Sequence, residues 1–191
     1  MKKIVLTLMA AVGLLYCNNI KSQTAFGIKG GISIADMGDI KYKSRVTGHG
    51  GVFARRAISK YFSIQPELLF SGEGKRVFYN NTEYNWALNY LQLPVMLQVY
   101  PIKQVYIEAG PQVGVLLSAK EKSETAAHRD LKAVASNTEF AIGVGAGVEV
   151  TDQVIVYGRY VFGLTNMTTY DDIDDYSKIV QVGIALKLYR K

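Results

Sequence analysis

The sequence predicts an all-β protein, an eight-stranded antiparallel up-and-down transmembrane β-barrel behind an N-terminal export leader. Three observations carry this. Apolar residues recur with period two over stretches of about ten residues, as spanning barrel strands require. The links between stretches alternate between short and long. One face of nearly every stretch is apolar, while the opposite face carries single charges.

The leader comes first. Lys2 and Lys3 precede a 12-residue apolar run, Ile4 to Leu15. A spanning helix needs about 20 residues, so this run has the length of a signal-peptide core rather than an anchor. Polar Asn18, Asn19 and Lys21 follow, and cleavage is expected between Ser22 and Gln23. Residues 1–22 are thus read as a signal peptide and 23–191 as one barrel domain. Cys17 is the single cysteine. A lipidation signal wants a small residue before the cysteine and Tyr16 is bulky, so Cys17 is expected to leave with the leader. The mature chain then has neither a disulfide nor a thiol nucleophile. Without Lys2, Lys3 and Lys21, 19 bases face 16 acids, a balance of +3 in place of +6. No basic cluster sits on one element, which argues against a nucleic-acid partner.

The strands follow in order. In Thr24–Asp36, Phe26, Ile28, Ile32 and Ile34 oppose Lys29 and Ser33. Val46–Ile58 is the weakest, with Val52 and Ala54 against His49 and Arg55, and with Phe53 out of phase. Phe62–Glu73 sets Phe62, Ile64, Leu68 and Phe70 against Ser63, Gln65, Glu67 and Ser71. Asn89–Tyr100 sets Leu91, Leu93, Val95, Leu97 and Val99 against Tyr90, Gln92, Met96 and Gln98. Val105–Ser118 opposes Ile107, Val113, Val115 and Leu117 to Tyr106, Glu108, Gln112 and Ser118. Thr138–Val150 opposes Phe140, Ile142, Val144 and Val148 to Gly143, Gly145, Gly147 and Glu149. Val154–Leu164 carries Val156, Tyr160 and Phe162 against Tyr157 and Arg159, and Lys178–Tyr189 carries Val180, Val182, Ile184 and Leu186 against Gln181, Gly183 and Lys187.

The links at 57–61, 101–104 and 151–153 are short, whereas those at 37–46, 74–86, 119–137 and 165–177 are long and polar. Outer-membrane barrels have short periplasmic turns and long external loops, so both termini are placed on the periplasmic side. The apolar faces would meet lipid, with Phe26 and Phe62 at one rim and Phe70, Phe140, Tyr160 and Phe162 at the other. The inner face would hold Lys29, Arg55, Glu67, Glu108, Glu149, Arg159 and Lys187. An eight-stranded interior is just wide enough for side chains to fill, and charges there are tolerable when matched, so these seven are expected to form a polar network. Gly143, Gly145 and Gly147 would leave room for Tyr106, Tyr157 or Arg159.

The segments FGIKGGISIADM (26–37), SKYFSIQPELLFSGEG (59–74), LNYLQLPVMLQVYP (88–101), YIEAGPQVGVLLSA (106–119) and FAIGVGAGVEV (140–150) resemble the PorT-like outer-membrane β-barrel family of Bacteroidetes. The phrases Ile64-Gln65-Pro66-Glu67-Leu68 and Leu91-Gln92-Leu93-Pro94 are the most recognisable. The resemblance covers nearly the whole mature chain. It implies the same barrel and an outer-membrane location, with a branch linked to protein export. The ending Tyr189-Arg190-Lys191 departs from barrels that close on an aromatic residue and leaves the register of the last strand open.

Chemical motifs are few. The GVGAGV run at 143–148 has no third glycine and no helix behind it, so it is read as small inward barrel residues and not as a dinucleotide site. His49 and His128 have no serine and carboxylate at a compelling spacing; a membrane hydrolase is disfavoured, and His49 is read as a lumen residue. Asp171, Asp172, Asp174 and Asp175 lack the EF-hand glycine and glutamate and read as a solvated acidic loop. Lys41, Lys43 and Arg45 suit either lipopolysaccharide phosphates or that acidic loop. No cofactor, metal or catalytic residue is assigned. The expected role is a non-enzymatic structural anchor or surface/periplasmic interaction module of the outer membrane, for which the resemblance implies an accessory part in export, with a narrow channel or small-solute transporter as the alternative. Its expected partners are outer-membrane lipid and lipopolysaccharide, the barrel insertion machinery and an envelope protein.

Overall fold

A computed structural model describes residues 24–36, 42–43, 45–79, 82–123, 129–130, 137–166 and 176–190. Residues 1–22, which the sequence reads as a signal peptide, lie outside them, as do His128, the four loop aspartates and the side chains of Lys41, Lys43 and Arg45. Eight long strands make the barrel: β1 (Thr24–Asp36), β2 (Arg45–Ala57), β3 (Phe62–Tyr79), β4 (Thr82–Ile102), β5 (Val105–Ser123), β6 (Thr138–Glu149), β7 (Val154–Asn166) and β8 (Tyr176–Arg190). Each pairs antiparallel with its sequence neighbour. The ring closes where β1 meets β8, from Ala25 opposite Arg190 to Asp36 opposite Lys178, with a bulge at Phe26–Gly27. That register settles the last strand. Closure matters physically, because an open sheet edge in hydrocarbon would leave backbone donors and acceptors without partners.

The short turns are tied by their own side chains. Ser59 Oγ accepts from the amides of Tyr61 and Phe62, both at 3.2 Å. Thr151 Oγ1 accepts from Gln153 and Val154 at 3.2 and 3.0 Å. Hydroxyl residues favour such turns because they supply a local acceptor.

The ends opposite the short turns differ from the sequence reading. Within the span 74–86, residues 74–79 and 82–86 are strand rather than loop: β3 and β4 stay paired from Glu73 opposite Leu88 to Tyr79 opposite Thr82. Strand β5 extends alongside, Tyr84 facing Ser123. Tyr42–Lys43 adds to β3 and Arg129–Asp130 to β5. A sheet therefore projects beyond the barrel. It was hidden in the sequence because a ladder outside the membrane needs no apolar face, and the alternation fades although the pairing persists.

Within the barrel the alternation is regular. The outward face is apolar and exposed, including Ile32, Val52, Leu97, Ile107, Val144, Val156 and Ile184. Phe26, Tyr61, Phe62 and Tyr189 are exposed at the turn end, and Phe70, Phe140 and Phe162 at the other. From Phe62 to Phe70, at about 3.3 Å per residue and a tilt near 40°, the belt is roughly 20 Å tall, close to that of known barrels. Two local expectations are corrected. Phe53 does not break the alternation; it points inward, 3% exposed, over Gly27, where a Cβ would lie 2.5 Å from its ring. Ser118 is not an inner residue: the register slips between Asn89 and Tyr90, so Leu116 and Ala119 face in and Ser118 bonds Asn89 Nδ2 at 2.9 Å.

Candidate functional site

The interior is filled in layers, and its chemistry follows from which inward positions carry charge. Lys29 on β1, Glu67 on β3, Glu108 on β5 and Arg159 on β7 meet in the middle. Arg159 spreads its planar guanidinium over both acids: Nη1 and Nη2 donate to Glu67 at 2.9 and 2.8 Å, and Nε donates to Glu108 at 2.8 Å. Such a fork matches carboxylate geometry and gives strong, directional bonds. Lys29 Nζ adds 3.0 and 3.1 Å contacts to Glu67 and lies 3.9 Å over the Tyr157 ring. Gln65 donates to Glu67 at 2.7 Å and Gln98 to Glu108 at 2.9 Å. Two cations face two anions, and the four side chains are 0–2% exposed.

Nearer the turns, Arg55, Glu149 and Lys187 form a second group. Glu149 receives Arg55 Nη1 at 2.6 Å and Lys187 Nζ at 2.5 Å. Arg55 Nε reaches Gln65 at 2.7 Å, and Gln65 joins this group to the central one. Tyr106 stacks below Arg55, 5.1 Å from its ring centre, and fits because Gly147 carries no Cβ to meet it. Gly143 and Gly145 border Arg159, whereas Tyr157 is accommodated by Gly183 on β8.

His49 lies inside this network. Its Nδ1 is 2.9 Å from Ser33 Oγ and its Nε2 is 2.6 Å from Tyr157 Oη. The Ser33–His49 pair resembles a nucleophile and base, yet the second ring nitrogen meets a phenol, and both side chains are sealed in the lumen. A hydrolase would need a carboxylate there and an open path to substrate.

Sequence reasoning missed two inner acids. Glu73 and Glu139 are 1% and 3% exposed, toward the end opposite the short turns. Gln92 donates to Glu73 at 2.5 Å and Ser177 to Glu139 at 2.6 Å. Parity would have found them, since Glu73 is in phase with Glu67 on β3 and Glu139 with Glu149 on β6. Among the described residues no cluster of three or more His, Cys, Asp or Glu side chains is placed to hold a metal.

A closed barrel with an apolar belt, aromatic rims and a buried charge network in its interior defines an integral β-barrel of the outer-membrane type. The chain belongs to the family described as outer membrane protein β-barrel domain, whose model matches residues 18–169. Among solved structures, Ail, the attachment invasion locus protein of Yersinia pestis, in complex with the heparin analogue sucrose octasulfate, is similar. Its identity is 12% and its TM-score 0.52, over 88% of this chain and 100% of that one. Neisserial surface protein A is similar at 10% identity and TM-score 0.53, over 86% and 97%. The outer membrane protein OprG of Pseudomonas aeruginosa follows at 11% and 0.50, over 86% and 95%. At such identities the likeness is one of fold. Among curated proteins none matches the sequence.

Proposed function

We propose that this chain is a non-conducting outer-membrane anchor whose projecting external sheet is a contact surface for an envelope protein partner. The observation that carries it is the Lys29–Glu67–Arg159–Glu108 cluster, which ties strands on opposite walls together across the lumen. A conduction path needs space or exchangeable water where these buried side chains lie. Outside the membrane, β3, β4 and β5 continue their ladder past the barrel and form a strand surface, the form of scaffold on which strand-to-strand or face contacts are made. The phrases Ile64–Leu68 and Leu91–Pro94 support placing the chain in the PorT-like branch, and with it an accessory role in export. Residues 1–22 act in this reading as the export signal, and the insertion machinery and lipopolysaccharide are the remaining partners.

The test is electrical. Purified protein in planar bilayers is expected to show no stable unitary conductance. Well-defined currents with a cation preference that disappears in Glu67→Ala would replace the anchor reading with a channel.

A further inference from the structure

The turn end of the barrel holds a cleft of about 220 Å³ that none of the roles above uses. Its lining includes Arg55, Lys60, Lys103 and Lys187 but one acid, Glu149. Four positive charges therefore face a single negative one. The acid is already shared, with Oε1 on Arg55 and Oε2 on Lys187. The cleft is not merely a rim of surface lysines. Arg55 is 6% exposed and fixed from behind by Gln65 through Nε, with Tyr106 beneath the guanidinium. Its Nη1 is bound to Glu149.

A held guanidinium edge, flexible ammonium groups at the mouth and a surplus of positive charge are the components of a phosphate site. The volume accommodates a phosphate and part of an ester attached to it. Phe62 belongs both to the lining and to the lipid-facing aromatic rim, so the cleft borders the level at which lipid headgroups lie. We propose that this cleft binds a phosphate group, carried by an anionic lipid of the periplasmic leaflet or by a soluble phosphate.

The experiment uses the full mature chain folded in maltoside micelles, which contain no phosphate. In one arm, amide shifts of Ser59, Lys60 and Lys103 are followed by NMR as inorganic phosphate is added, against chloride at matched ionic strength. In the other, phosphatidylglycerol or phosphate-free diacylglycerol is added and bound lipid is counted by native mass spectrometry. Saturable shifts with phosphate alone identify a soluble ligand; selective retention of phosphatidylglycerol identifies the headgroup. Lys60 and Lys103 are exposed turn residues, so the Lys60→Ala/Lys103→Ala variant should fold normally and weaken either signal on the order of tenfold. Lys178→Ala, far from the cleft, should leave it unchanged. Equal responses to phosphate and chloride together with equal retention of both lipids would overturn the proposal, as would a double variant that binds like the parent.

Discussion

Toward the short turns and the middle of the lumen, the ionic side chains converge in shared groups: Glu67 takes Lys29 and Arg159, Glu108 takes Arg159, and Glu149 takes Arg55 and Lys187. Toward the opposite end the polar groups are just as buried but more loosely joined. Ser71 Oγ, both polar atoms of Gln112 and Oε2 of Glu139 have no hydrogen-bond partner among the described residues. A filled lumen is thus not uniformly cross-linked. Low dielectric strengthens a matched network and penalises an incomplete one, so the lower half should fix the barrel's shape. The upper half has more to gain from redesign.

Removing one partner from the matched half should have the largest effect. Glu67→Ala leaves two buried cations facing Glu108 alone and should lower stability by about 3–5 kcal/mol, measured by urea unfolding in lipid vesicles. A loss below about 1 kcal/mol would mean that the cluster is not the organising element. The outer wall should respond next. Val144 is exposed on the apolar face while Gly145 is packed against Arg159. Val144→Arg, near mid-membrane, should cost about 2–4 kcal/mol. Gly145→Arg should fail instead through crowding, with loss of the folded, heat-modifiable band on gels. Unchanged stability of Val144→Arg would show that this face does not meet lipid.

In the loosely joined half the sign should change. Gln112→Met removes two buried polar atoms at similar volume and should be neutral or stabilising by up to about 1 kcal/mol in the same assay. A strongly destabilised variant would show that Gln112 is as tightly held as Glu67. The smallest energetic effect accompanies a test of which half faces outward. Cysteines placed singly at Ser59 and Ala126 should leave stability unchanged, and an impermeant reagent on intact cells should label Ala126 and spare Ser59. Labelling in the opposite sense would exchange the two ends.

Much of this was legible in the residues. Period-two patterning separated Val144 from Gly145 and Leu68 from Glu67, because a membrane barrel permits almost no charge on its lipid face. Patterning could not say which charges meet, since Arg159 reaches Glu67 from a strand 92 residues away. It also misread Phe53, whose inward position depends on the absence of a side chain at Gly27 on a different strand. The slip at Ser118 is a register effect invisible in a single strand. Glu73 was passed over because polar residues follow it, and a polar stretch reads as loop even where the backbone ladder continues.

The central ion cluster also bears on the order of assembly. Its bonds join residues 38, 51 and 92 positions apart, from β1, β3, β5 and β7. No single hairpin can complete it, so a nascent sheet carries Lys29, Glu67, Glu108 and Arg159 without their full set of partners until the strands have curled round. Such charges are costly in hydrocarbon and cheap in water or at the interface. The same side chains that lock the finished barrel therefore oppose the descent of an unfinished one, and couple deep insertion to ring closure.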